Sequence, residues 1–396
     1  MKKFIILSVF VITTLGCERT NEEIKPTAID IATLKIEVAK NYSNLVYANY
    51  EDCYNTALSL KSAIDAFVAA PSEAGLTTAQ NAWKAARIPY SQTDAFRFYG
   101  GPIDDENGPE GRLNAWPLDE GYIDYTETNG AIVNGGIINN TTNFATLTKE
   151  SISAANENEG ESNISIGYHA IEFLLWGQDK YAGSPGKRPY TDYITNSTAS
   201  TALNAARRGQ YLQLCVDILI DDLAYLKEQW KDGGSYRNKI TNSDSSSYYI
   251  SKFFDGIGKL SKGELAGERM TVSVSSGDQE DEHSCFSDFT TTDIQNNFKG
   301  IKNVYLGSYT NISGTVTSGK SLADLVRSVN IAADDSVKVS LQRAELKMGL
   351  ISNPYDQAIL KESNIILNAA AELKKLSDKI ADAGFKLGYT VNTNLD

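Results

Sequence analysis

Histidine is nearly absent from this chain: two residues, His169 and His283, in 396. That scarcity excludes the zinc-protease pair H-E-x-x-H, which needs two imidazoles one turn apart on one helix. A Ser-His-Asp triad has only these two histidines to draw on, and the G-x-S-x-G elbow is missing. Nucleotide hydrolysis through a phosphate-binding loop is not expected either. Cysteine is sparse as well. Beyond Cys17 only Cys53, Cys215 and Cys285 remain, an odd set that allows at most one disulfide and makes no disulfide scaffold. Positive charge is in deficit, 37 Lys and Arg against 50 Asp and Glu, for a net charge of −13. Nucleic acid is therefore excluded as a partner, because its binding rests on cations neutralising phosphates. β-type alternation of any length is also lacking.

What is present begins at the N-terminus. "MKKFIILSVFVITTLGC" has a basic start (Lys2, Lys3), a short apolar stretch and a small residue before Cys17. It is too short to span a bilayer and reads as a secretory signal over residues 1–17. Leu15-Gly16-Cys17 resembles the end of a bacterial lipobox, which makes Cys17 the expected site of lipidation. Residues 18–28 would then be a polar tether, and the protein a lipid-anchored resident of the bacterial envelope, on the periplasmic side of the outer membrane or at the surface.

Helical periodicity dominates the rest. Apolar positions return every three or four residues over 29–69, and Pro71 ends that run. A second helix is expected from Leu76 to Gly100, kinked at Pro89. Residues 100–160 form a long connection rich in Gly, Asn and Pro. Further helices are expected over Ser162–Trp176, Leu203–Trp230, 248–267, 290–304, 318–347 and 354–384. Residues 231–247 mark a boundary. The expected fold is all-α: two helical bundles of about four main helices each, residues 29–235 and 248–390, with a cleft between them.

Three constellations carry chemistry. His169 and Glu172 are three apart and share a helix face inside the apolar segment "IGYHAIEFLLWGQD". A glutamate in such surroundings needs a partner or becomes neutral. The pair reads either as a core hydrogen bond or as part of a metal site built from imidazole and carboxylates. His283 lies in "SGDQEDEHSCFSD", with Glu280, Asp281, Glu282 and Asp288 near it. Four acids so close repel one another unless a cation relieves them. The third is a stripe, Trp83, Arg87, Tyr90, Asp94 and Arg97, at steps of four, three, four and three residues. It is either an internal ion-pair ladder or one wall of a ligand cleft.

At these residues the chain resembles the imelysin family. The family hallmark G-x-H-x-x-E is matched by Gly167-Tyr168-His169-Ala170-Ile171-Glu172, followed by Leu175-Trp176-Gly177. "AWKAARIPYSQTDAFRFYG" is similar to another family block, with Asp94 where glutamate is usual. "LNAWPLDEGYID" and "GERM…SGDQEDEHSCFSD" also match, while Thr291 stands where the family places a histidine. The resemblance implies two helical bundles whose shared blocks meet in a cleft, and a role tied to iron acquisition at the envelope. It suggests a divalent metal, iron or zinc, held by His169, Glu172 and Asp94, or an iron-containing small ligand. Arg87, Tyr90, Arg97, Glu280, Asp281, His283 and Asp288 would line the cleft. One alternative is a zinc metallopeptidase using His169, Glu172 and His283; another is a non-catalytic lipoprotein that binds an envelope partner.

Overall fold

The computed structural model describes residues 30–395; the signal-like segment, Cys17 and the tether lie outside the described residues. The fold is all-α. The principal helices are α1 (Ile31–Ala69), α2 (Glu73–Gln92), α3 (Gly167–Trp176), α4 (Ala205–Trp230), α5 (Ser246–Lys259), α6 (Thr290–Leu306), α7 (Ile331–Met348) and α8 (Ser363–Lys386). Two short antiparallel hairpins, Thr126–Thr128 with Ala131–Val133 and Ser308–Thr310 with Val316–Ser318, are the strands among the described residues. None of the described helices is long and apolar enough to cross a membrane.

Local chemistry sets the helix ends. The Asp30 side chain accepts hydrogen bonds from the Ala32 and Thr33 amides and caps α1, and Ser72 caps α2 through the Gly75 amide. The α-helical part of α2 stops at Gln92 and passes into a 3-10 turn, Thr93–Phe96, short of the expected end at Gly100. Pro89 lacks an amide hydrogen, and beyond it side chains satisfy the backbone. Ser91 Oγ donates to the Arg87 carbonyl, Gln92 Nε2 to that of Ile88, and Thr93 Oγ1 to that of Tyr90. The expected helix over 318–347 is divided. Leu322–Val329 ends at Asn330, whose side chain caps α7 through the Ala333 amide.

The same region carries a second local pattern, of glycine and lysine. Gly314–Ser321, "GTVTSGKS", has the glycine and lysine placement of a phosphate-binding loop. The fold does not build one: Val316–Ser318 pairs as a hairpin strand, Asn41 packs on Gly319, and Ser321 Oγ is bonded to Asp324.

The helices pack in two sets. In the first, α1 lies against α2 and α4, and α3 against α2 and α4. In the second, α8 lies against α7, against α5 and against the π-helical stretch Leu260–Val272 that continues α5. The sets meet where α6 crosses α2 and α5 touches α1, and one continuous apolar core runs through both.

Candidate functional site

The site is assembled on α3. Every residue of this helix is buried, and its first residue, Gly167, has φ +90°. A Cβ there would lie 2.6 Å from the Arg112 carbonyl oxygen and 2.8 Å from that of Leu113, so only glycine lets α3 dock on this segment. Two turns of apolar side chains then fix His169 and Glu172 in the interior, at 1% and 0% exposure. His169 Nδ1 lies 2.9 Å from Glu172 Oε2, and Glu172 Oε1 accepts from the Ser287 amide (3.0 Å) and hydroxyl (2.6 Å).

Burial decides the protonation of this pair. It pushes the Glu172 carboxyl up to about 8 against the hydrogen bonds from Ser287, and it holds the His169 imidazole well below its ordinary value, helped by His283 and Arg87. At neutral pH both groups are therefore uncharged. The carboxylic acid donates to Nδ1, and the ring proton sits on Nε2. That Nε2 is buried and has no hydrogen-bond partner.

His283 stands beside it, the two imidazoles meeting edge to face with centroids 4.8 Å apart; Trp116 packs on the other side of His169 at 4.9 Å. The nitrogens of His283 are directed elsewhere. Nδ1 faces Arg87 Nη2 at 3.3 Å and Asp293 Oδ2 at 3.5 Å, and Nε2 faces Asn114 Nδ2 at 3.4 Å. Burial, with Arg269 and Arg87 nearby, holds His283 down at about 4, so it too is neutral. Arg87, from α2, is fully buried and bonds Asp293 of α6 through Nε (3.3 Å) and Nη2 (2.9 Å), and Asn114 Oδ1 through Nη1 (2.6 Å). Ser91 and Ser284 hydroxyls complete the carboxylate of Asp293, which Arg87 and His283 keep far below the usual range despite its burial.

In front of this cluster lies a cavity of about 400 Å³. His283, Asn114 and Trp116 are part of its wall, together with Arg97 and Arg269 and the acids Glu110, Glu157, Glu264, Glu268 and Asp281. Five carboxylates against two guanidiniums make it acidic. The π-helical stretch supplies Glu264, Glu268 and Arg269: with hydrogen bonds closing five residues apart, Glu264 and Arg269 fall on one side. Glu264 Oε1 accepts from Arg269 Nε (3.2 Å) and Nη2 (3.0 Å). Arg269 Nη1 also bonds Asp94 Oδ2 at 2.8 Å, and Arg97 reaches Glu110 at 2.9 Å.

The expected site residues therefore divide. His169, Glu172, His283 and Arg87 come together, and Asp281, Arg97 and His283 reach the cavity. Asp94 does not join the His169–Glu172 pair. Its Oδ2 accepts from Arg269 and from Asn297 Nδ2 (2.7 Å), its Oδ1 faces Arg97 at 3.7 Å, and no hydrogen bond or ion pair joins it to His169 or Glu172. Tyr90 is fully buried against Tyr168 and lies outside the cavity lining. Glu280 and Asp288 lie outside it too. Burial, then Asp179 and Asp356, pushes Asp288 up to about 7; burial, then Glu120, Asp278 and Asp179, does the same to Glu280. Thr291 is buried at the start of α6, its hydroxyl bonded to the Ser352 carbonyl (3.0 Å) and outside the cavity lining.

The donor set bears on a metal. Among the described residues, no group of three His, Cys, Asp or Glu side chains is arranged to hold a metal ion. The peptidase geometry asks for His283 near the pair, and its ring is near. Arg87 stands 3.3 Å from Nδ1, however, and a guanidinium there opposes a dication. A closed, protein-built ion site does not fit. Asp293, Asn114, Glu110, Glu264 and Arg269 were not singled out by sequence, although Asn114 and Arg269 lie in blocks that carry the family resemblance.

A family model described as imelysin matches residues 46–381. The chain belongs to the imelysin family. It is 24% identical over 263 residues to iron-regulated protein A of Synechococcus elongatus, covering 66% of this chain and 62% of that protein. The chain thus spans less than two thirds of the length of that curated relative. Two crystal structures share the fold. A candidate iron-regulated protein A precursor from Parabacteroides distasonis is 21% identical, with a TM-score of 0.69 over 91% of this chain and 97% of its own. An imelysin-like protein from Psychrobacter arcticus is 14% identical, with a TM-score of 0.63 over 93% and 98%.

Proposed function

We propose that this imelysin-family protein is a lipid-anchored binding protein of the bacterial envelope that takes up an iron-bearing small ligand in the acidic cavity. The observation that carries the reading is the cavity itself, about 400 Å³ with five carboxylates and the His283 imidazole in its wall. Its size suits a small molecule, and its charge favours a cationic or metal-centred one. Among the described residues no three protein ligands converge, so on this reading the metal arrives with its own ligands. The name of the Synechococcus elongatus relative agrees with a link to iron. On this reading the exposed carboxylates Glu268 and Asp281 meet the guest, while His283, held by Asn114 and the Arg87–Asp293 pair, forms a rigid neutral part of the wall in front of His169 and Glu172.

Isothermal titration with ferrous ion, zinc ion and a cationic ferric hydroxamate complex tests the reading, using the full chain and a Glu268→Gln/Asp281→Asn variant. Both altered side chains are exposed at the cavity. The expected result is saturable uptake of the cationic ferric hydroxamate or of ferrous ion that weakens at least about fivefold in the variant, as for loss of charged contacts. Equal binding by both proteins, or no uptake of any probe, overturns it. Cys17→Ala, followed by membrane fractionation, tests the anchor: the variant should leave the membrane fraction.

A further inference from the structure

A second cavity, of about 280 Å³, shares no lining residue with the first. It opens at the C-terminal end of α3, where Trp176 and Gly177 lie some seven residues, or roughly 10 Å along the axis, from His169. Its wall holds Lys180, Lys187 and Arg188 against a single acid, Glu127. In a chain with a net charge of −13 such a concentration of cations is against the trend. The aromatic rings of Tyr125, Trp176 and Tyr181 make up much of the remainder.

Arg188 gives this cavity a built centre. Its residue is 5% exposed, and its guanidinium rests on the Tyr125 ring at 4.9 Å and the Phe173 ring at 5.1 Å. Nη1 bonds Asp124 Oδ2 at 2.9 Å with Asp192 Oδ2 at 3.7 Å, and Nη2 reaches the Phe173 carbonyl at 3.5 Å. Nε is buried and bonded to nothing. It lies against Gly177, where a Cβ would come within 3.6 Å of it. Glycine thus keeps a side chain off the one nitrogen of this buried cation that has no partner, and an N–H left without an acceptor is costly. At the mouth, Lys187 Nζ sits 3.8 Å above the centroid of the exposed Tyr181 ring, and Lys180 is paired with Glu127 at 2.7 Å.

We infer that this cavity binds a compact oxyanion carried on a ring: a carboxylate or phosphate that accepts from Arg188 Nε and Lys187, with the ring lying on Tyr181. The guanidinium and ammonium supply charge-assisted hydrogen bonds, and the tyrosine face supplies the stacking surface that Lys187 covers in the empty pocket. Nothing in this argument depends on the acidic cavity or its ligand.

Calorimetric titration of the full chain with benzoate, phenyl phosphate, glucuronate and uncharged benzamide tests the inference. At least one of the three oxyanions should bind saturably, more weakly as salt rises, while benzamide does not. Lys187→Ala and Tyr181→Ala change exposed side chains, and each should weaken binding about fivefold or more with an unaltered melting curve. Preference for phenyl phosphate identifies a phosphate ligand; preference for benzoate or glucuronate identifies a carboxylate on a flat or a sugar ring. Benzamide binding as well as benzoate, binding unchanged in both variants, or no binding of any oxyanion overturns the inference.

Discussion

Replacing Arg87 by methionine should destabilise the protein by about 3–5 kcal/mol, the range for removing one partner of a buried ion pair. Arg87 and Asp293 are both fully buried, and the carboxylate takes two hydrogen bonds from the guanidinium. Methionine fills much of the volume but leaves a carboxylate with no counter-charge, supported only by the Ser91 and Ser284 hydroxyls and the neutral His283. With an unfolding entropy of roughly 2.1 cal/mol/K per residue, a chain of this length loses about 4–6 °C in melting temperature for that penalty. Urea melts followed by circular dichroism, beside calorimetric scans, read both quantities. Arg87→Met/Asp293→Leu removes the charges together and should recover more than half of the loss, since a buried pair replaced by apolar groups is often close to neutral. A single variant that loses less than about 1 kcal/mol, or a double variant no better than the single, would refute the account of this cluster.

Other predictions follow from the same geometry. Glu172, pushed up to about 8, keeps a proton in the folded state that an unfolded glutamate releases near 4.3. Stability should therefore fall as pH rises across about 5 to 8, and Glu172→Gln should flatten that slope in urea melts. Gly167→Ala meets both a positive φ and two carbonyl oxygens closer than 3 Å, so a loss above about 2 kcal/mol is expected in the same assay. Asn330→Ala removes the cap of α7 and should cost about 1 kcal/mol.

Much of the fold is legible in the residues because helical period and punctuation are local signals. Asp30 before α1, Pro71 after it and the apolar spacing of α4 all act within a few residues. The end of α2 was less legible: periodicity continues to Gly100, and only the competition of Ser91, Gln92 and Thr93 for backbone carbonyls stops the α-helix earlier. Asn330 hid in the same way, a cap inside an otherwise continuous apolar pattern. In the site, adjacency on one helix made His169 and Glu172 readable as a pair. The partners of Arg87 were not readable, since Asp293 is 206 residues away and nothing local marks it. Asp94 shares a helical stripe with Arg87, yet tertiary structure gives it to Arg269 of another element, 175 residues on. A stripe fixes which side chains lie on one side, not which charges they meet.

The π-helical stretch beside the acidic cavity has a consequence for how the chain tolerates change in length. Leu260–Val272 holds more residues per turn than an α-helix needs, so one residue can be removed without breaking the rod. A deletion between Glu264 and Arg269 would close one wide turn to α pitch and leave the helix beyond it in phase. Glu264 and Arg269 would then stand four apart, still on one side, and Arg269 would keep Asp94, whereas an insertion there would separate them. The wide turns thus act as a setting of phase: the chemistry of one cavity wall is written in the spacing of these residues as much as in their identity.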